Sequence, residues 1–133
     1  MRLLETNAGS KMVRGKDLLF YSVCIEKEHP NIFREFSEGR TLLWVCLESE
    51  HLNMLVYKIA SMLRLDEPPR SISVLTVDGS PHCIQLHYAV EEAKKISGSD
   101  IEARHFVLSK GKVEEVTSQT VKKSRYLGKL SSD

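Results

Sequence analysis

The sequence has 133 residues, 41% of them hydrophobic, and a formal net charge of +1 at pH 7. A chain of this length is most simply one domain with a sizeable core, and its near-zero charge argues against binding to nucleic acid or to a membrane surface. It shows neither a secretory signal nor the apolar run of about 20 residues that a membrane-spanning helix needs. We therefore expect a cytoplasmic protein with reduced thiols.

The first half of the chain predicts an arm followed by two strands and a helix. Residues 1–16 have weak periodicity and are expected to form an N-terminal arm, either mobile or a short edge strand. Residues 17–133 are expected to form a single α/β domain. The apolar runs at 17–23 and 41–47 predict strands covered on both faces. Residues 29–38 predict a short helix, because their apolar side chains share one face.

The middle of the chain predicts a helix, a strand and a second helix. Apolar residues recur every three or four positions from 52 to 63, which is the clearest helical pattern in the sequence. Residues 71–78 are rich in β-branched side chains and predict a strand. A helix is predicted at 81–97, because Ser80 is a typical N-cap and Gly98 a typical end.

The end of the chain predicts a strand hairpin at 101–109 and 112–116, followed by a helix at 119–130. Strands that alternate with helices indicate a mainly parallel sheet with helices on both faces. We therefore predict a three-layer Rossmann-like or flavodoxin-like sandwich, with the C-terminal hairpin as an antiparallel edge.

A short string is written twice. VCIEKEHPNIF (23–33) and VCLESEHLNML (45–55) are identical at six of eleven positions. Each copy is placed where a strand leads into a helix, so we predict two equivalent loops at one edge of the sheet. The residues expected in those loops are Glu26, Glu28 and His29 in the first copy and Glu48, Glu50 and His51 in the second. The alternative is chance similarity, with the glutamates as solvated charges favoured by the helix dipole.

The three cysteines are predicted to share one edge of the sheet. Cys24 and Cys46 each fall at the carboxyl end of a predicted strand, and Cys83 comes just after one, in the first turn of the following helix. Open α/β sheets bind ligands at the carboxyl ends of their strands. The alternative is that the cysteines are small core residues, which is common for this residue type.

Cys83 and His87 are the candidate catalytic pair. Cys83 is placed in the first turn of the helix at 81–97, with its sulfur facing the cleft, where the helix dipole favours a thiolate. His87 is four residues further on and lies on the same face. Together they resemble an activated nucleophile and its base, although a third group that would orient His87 is not evident.

The turn before this helix is a candidate ligand site. Its residues are Asp78, Gly79, Ser80 and His82. Backbone N–H groups at a helix start can hold an anion. The same residues also suit an ordinary strand-to-helix turn.

A metal site is the remaining alternative for these side chains. Zinc or another thiophilic metal accepts Cys and His ligands, and the candidate set is Cys24, Cys46, Cys83 and His87. The close ligand pair of most structural zinc sites is missing. The sequence also has no G-x-G-x-x-G and no P-loop motif, so no dinucleotide or nucleotide phosphate site is indicated.

The segment TVDGSPHCIQLHYAVEEA (76–93) resembles small uncharacterised α/β proteins of archaea and anaerobic bacteria. The resemblance extends over residues 41–97. It implies a Rossmann-like fold and leaves the function open. Some of these proteins carry iron–sulfur or ferredoxin-like labels, but the dispersed cysteines here depart from any ferredoxin pattern.

Two functions remain open. The first is a thiol or metal site built on the cysteines and histidines, in a small redox or metal-handling protein. The second is a module without enzymatic activity that binds a small anionic ligand, or a protein partner, at the same edge. Homodimerisation is compatible with either function.

Overall fold

The computed structural model describes residues 1–46, 50–79 and 83–123. Five strands form one sheet in the order β2-β1-β3-β4-β5. Their bounds are β1 Asp17–Ser22, β2 Thr41–Val45, β3 Ser71–Val77, β4 Glu102–Ser109 and β5 Lys112–Val116. The first four strands are parallel, and β5 runs antiparallel to β4 at the edge.

Helices cover both faces of the sheet. Their bounds are α1 Val23–Glu28, α2 Pro30–Ser37, α3 Leu52–Leu63, α4 Ile84–Ser97 and α5 Ser118–Lys123. Side chains of α1 and α2 pack on one face, while α3 and α4 pack on the other, where α5 contacts α4. The predicted three-layer sandwich, mainly parallel with an antiparallel C-terminal hairpin, is confirmed. The predicted last helix extends into residues 124–130, which lie outside the described part of the chain.

The two faces of the sheet hold separate cores because strand side chains alternate. Leu18, Phe20, Ile72 and Val74 point towards α3 and α4. Leu19, Tyr21 and Leu75 point towards α1 and α2. Packing on both faces fixes the positions of the strands. It therefore also fixes the residues at their carboxyl ends.

The two copies of the repeated string do not form equivalent loops. The first copy is helical over Val23–Glu28, because Ile25 is fully buried and anchors a turn directly after β1. Pro30 then forces His29 out of the helical region, at φ −135° and ψ 62°. In the second copy Glu50 lies in a bend and His51 caps α3, while Glu48 lies outside the described residues. The prediction of equivalent loops is wrong, and we regard the repeat as coincidence.

The N-terminal arm packs against the rest of the molecule. Leu3 and Val13 are fully buried in the core beneath α3 and α4. Along the outer side of β2, the Trp44 N–H donates to the carbonyl of Met1 at 2.8 Å, and Arg2 pairs with Trp44 as an isolated parallel bridge.

None of the helices in the described ranges has the length and apolar character needed to cross a membrane.

Candidate functional site

A pocket of about 400 Å³ opens on the α4 side of the sheet, near the carboxyl ends of β3 and β4. It lies between the sheet, α4 and α5. Its surface is mainly apolar, and five of its lining residues are aliphatic: Val77, Ile84, Val107, Val116 and Val121. The polar residues on its wall are Thr76, Asp78, His87 and Thr120, with Gly79 beside them.

Behind this wall lies a continuous chain of buried hydrogen bonds. Thr76 Oγ1 is 2.7 Å from His87 Nε2, and His87 Nδ1 is 2.9 Å from His105 Nδ1. His105 Nε2 is 2.7 Å from Glu91 Oε2, which also accepts a hydrogen bond from Ser118 Oγ at 3.0 Å. We name the four groups from Thr76 to Glu91 the buried chain.

Three elements of the fold hold the buried chain. His87 and Glu91 are one turn apart on α4, so both face the sheet. Thr76 lies near the end of β3, and His105 lies on the neighbouring strand β4, on the same face. Because α4 packs across these two strands, the rings of His87 and His105 meet with centroids 5.0 Å apart.

One pattern of donors satisfies every bond of the buried chain when both rings are neutral. His105 donates its Nε2–H to the Glu91 carboxylate, so its Nδ1 is an acceptor. His87 donates its Nδ1–H to that nitrogen, and its own Nε2 accepts the hydroxyl proton of Thr76. In the part of the chain that the structure describes, no buried side-chain nitrogen or oxygen lacks a partner.

Burial fixes the charge state of these groups. Burial, together with the nearby His105 ring, lowers the pKa of His87 to about 3, so this ring is neutral near pH 7. Burial raises the pKa of Glu91, but the hydrogen bonds from His105 and Ser118 outweigh it and leave the pKa below its ordinary value. The buried chain therefore joins a neutral imidazole at the pocket wall to a carboxylate behind it.

Residues 10–131 match the model of a protein family described as a Rossmann-like domain. The chain belongs to this family. No curated protein and no solved structure matches it. The residues that match the family model include all the strands of the described sheet and every described residue of the pocket.

The structure places Cys83 at the start of α4 but not in the pocket wall. Cys83 immediately precedes Ile84 and has a helical backbone. It is 7% exposed and belongs to the apolar core of the Rossmann-like domain, and the described pocket wall does not include it. Both ring nitrogens of His87 are already bonded to Thr76 and His105. The prediction that the Cys83 sulfur faces the cleft is therefore wrong, and His87 is oriented towards other partners.

The other two cysteines follow the carboxyl ends of β1 and β2, at the edge where they were predicted. Cys24 lies in the first turn of α1, 3.7 Å from the Ser22 hydroxyl. The backbone N–H of Cys46 donates to Glu50 at 2.7 Å. The alternative of a solvated charge is wrong for Glu50, because its side chain is 2% exposed and pairs with Arg2 at 2.8 Å. It is a buried anchor for the arm.

The predicted metal ligands do not form a metal site. Cys24, Cys46, Cys83 and His87 all lie in the described ranges, and no three His, Cys, Asp or Glu side chains of those ranges are grouped so that they could hold a metal ion. Each cysteine follows a different strand and has its own local surroundings.

The predicted ligand residues are only partly described. Asp78 and Gly79 lie on the pocket wall, and the Asp78 N–H donates to the Leu108 carbonyl at 2.9 Å. Ser80 and His82 lie outside the described residues. Sequence reasoning missed Thr76, His105 and Glu91.

Proposed function

We propose that this protein binds a small, largely apolar organic molecule in the pocket, with a hydroxyl group of the ligand donating a hydrogen bond to the Thr76 oxygen. The observation that carries the proposal is a largely apolar wall that includes an oriented hydroxyl–imidazole pair, Thr76 and His87. Small-molecule sites typically combine apolar walls with a few placed polar groups.

The size and charge of the pocket narrow the ligand class. A volume of about 400 Å³ suits a molecule of one or two rings. The exposed carboxylate of Asp78 at the wall disfavours an anionic ligand. A neutral phenol or alcohol, which can donate to the Thr76 oxygen, fits these features better than the small anion considered from the sequence.

This proposal keeps the second sequence hypothesis, a ligand site at the carboxyl edge, with a different ligand class. The first hypothesis, thiol or metal chemistry, has no supporting arrangement among the described cysteines and histidines.

The test uses para-cresol as the probe and backbone amide NMR as the readout. We expect saturable shift changes that are largest at residues 76–79 and 116–121. Val107→Phe should abolish them by filling the pocket. Val113→Phe is the matched control, because Val113 is also a half-buried valine of the hairpin but packs on the opposite face. Saturable changes that survive Val107→Phe, or no saturable change in the wild type, would contradict the proposal.

A further inference from the structure

The buried chain extends further from the pocket than ligand binding requires. Thr76 and His87 alone could orient a ligand, yet His105 and Glu91 lie behind them with 0% and 4% exposure. Burying an imidazole and a carboxylate is costly unless each is hydrogen-bonded. Here the hydrogen bonds of the buried chain all donate in one direction, from Thr76 at the pocket wall inward to Glu91.

We propose that the buried chain is a proton relay, which removes a proton from an acidic hydroxyl group of a ligand in the pocket and returns it. The inference rests on the ligand binding proposed above and adds a reaction class to it, namely reversible proton transfer.

The proton balance needs no other reactant. The O–H bond of the ligand breaks, and its proton moves to Thr76 Oγ1 as the hydroxyl proton of Thr76 moves to His87 Nε2. The Nδ1 proton of His87 then moves to His105 Nδ1. The electron pair of the broken bond stays on the ligand, whose anion accepts a hydrogen bond from Thr76. Reversal of the same shifts returns the proton.

The proton ends on His105 because the positive charge is compensated there. The His105 imidazolium would lie 2.7 Å from the Glu91 carboxylate, which stabilises it in a buried site. His87 is held neutral by burial and by the facing His105 ring, so it passes the proton on. A relay through two tautomeric rings is possible because each imidazole can accept at one nitrogen while it donates at the other.

Other charges around the buried chain tune this equilibrium. Lys122 Nζ on α5 is 4.0 Å from the second carboxylate oxygen of Glu91, and Lys94 on α4 also acts on this carboxylate. Both cations oppose a proton on His105. Asp78 at the pocket wall opposes the ligand anion, and exposed Glu114 lies on the same face of the hairpin opposite Val107. These charges limit how far the transfer favours the ligand anion, so the proton transfer stays reversible.

The test uses para-nitrophenol, whose anion is yellow and whose neutral form is nearly colourless. An apolar pocket without a relay disfavours the anion and raises the pKa of the bound phenol. A working relay instead lowers that pKa. We expect titration of the complex to show it lowered by at least about one unit, a tenfold increase in ionisation at acidic pH. Binding is measured separately by the amide shifts.

Three variants locate the effect. Thr76→Val keeps the shape of the side chain but removes the hydroxyl, and Glu91→Gln removes the compensating charge. Each should raise the pKa of bound para-nitrophenol above its value in the wild-type complex. Glu35→Gln, an exposed helical glutamate on the opposite side of the sheet, should leave it unchanged. If Glu91→Gln fails to fold, the pKa of bound para-nitrophenol in the wild type and in Thr76→Val is sufficient to test the relay.

The outcomes separate the two proposals. Binding with an unchanged or raised pKa in the wild type overturns the relay and leaves the ligand site standing. A lowered pKa that persists in Thr76→Val assigns the proton to another group and also overturns the relay. Failure of para-cresol to bind overturns the ligand site, and the relay with it. Binding of para-cresol without binding of para-nitrophenol overturns the relay alone.

Discussion

His87 is neutral inside the fold at physiological pH, because its pKa is lowered to about 3 from an ordinary value of 6.5. Between these two pH values the unfolded chain binds a proton at this ring and the folded chain does not. The free energy of unfolding therefore falls as pH falls through this range. Glu91 acts in the same direction, but only below its ordinary pKa of 4.5, so the range from pH 6.5 to 4.5 isolates the histidine.

We predict that His87→Gln flattens the dependence of unfolding free energy on pH in that range. The slope lost should approach 1.4 kcal/mol per pH unit, the free energy equivalent to one pKa unit. Urea denaturation at several pH values measures it. His51→Gln is the control, because His51 is exposed at the start of α3. An equal pH dependence in the His87 variant and the wild type would show that this ring is not the buried neutral group.

Single residues of the site were predictable only in part. His87 and Asp78 could be found because both lie beside the turn after β3, where the order of elements predicts a ligand edge. The apolar stripe of α4 predicted that Cys83 would face the cleft. The residues of that stripe, and Cys83 with them, instead pack in the core. His105 lies on another strand, so no local spacing relates it to His87. The sequence signal for a buried polar group was Glu91. It is a charged residue beside the apolar stripe of α4, one turn after His87.

At the scale of elements, α4 depends on its C-terminal glycine. Gly98 ends the helix in the left-handed conformation at φ 72°, and its N–H donates back to Lys95. A Cβ there would meet no atom within 4 Å. The cost of adding one is therefore conformational and not steric.

We predict that Gly98→Ala lowers the free energy of unfolding by about 1 kcal/mol. Gly98→Asn should cost less, because asparagine tolerates the left-handed region. Both can be measured by thermal or urea unfolding. An alanine variant as stable as the wild type would show that the helix ends differently in solution.

The strands and the longer helices were predictable because their patterns are local. The strands predicted at 17–23 and 71–78 are each one residue shorter at the C-terminal end in the structure. The short helix α1 was missed because the sequence after β1 suggested a polar loop. Burial of Ile25 against the sheet decides otherwise, and that contact depends on tertiary packing rather than on helix propensity.

At the scale of the whole molecule, the N-terminal arm completes the core on the α3 side. Leu3 is fully buried there, while Met12 of the same arm is 50% exposed. An arm that only lay on the surface would tolerate truncation of either side chain.

We predict that Leu3→Ala lowers the free energy of unfolding by about 3 kcal/mol, the usual cost of a cavity in a packed core. Met12→Ala should change it by less than about 0.5 kcal/mol. Urea denaturation with an unchanged m-value would attribute the difference to stability alone. Equal midpoints for the two variants would mean that the arm is not part of the cooperative unit.

The contact of Met1 and Arg2 with Trp44 has a consequence for self-association. An open strand edge is a template on which another chain can add a strand. Here the first two residues hydrogen-bond to the outer side of β2, while β5 carries the charges of Lys112, Glu114 and Glu115. A change that detaches the first two residues would leave β2 able to recruit a neighbouring molecule. Such a variant would then aggregate with rising concentration even with its core intact.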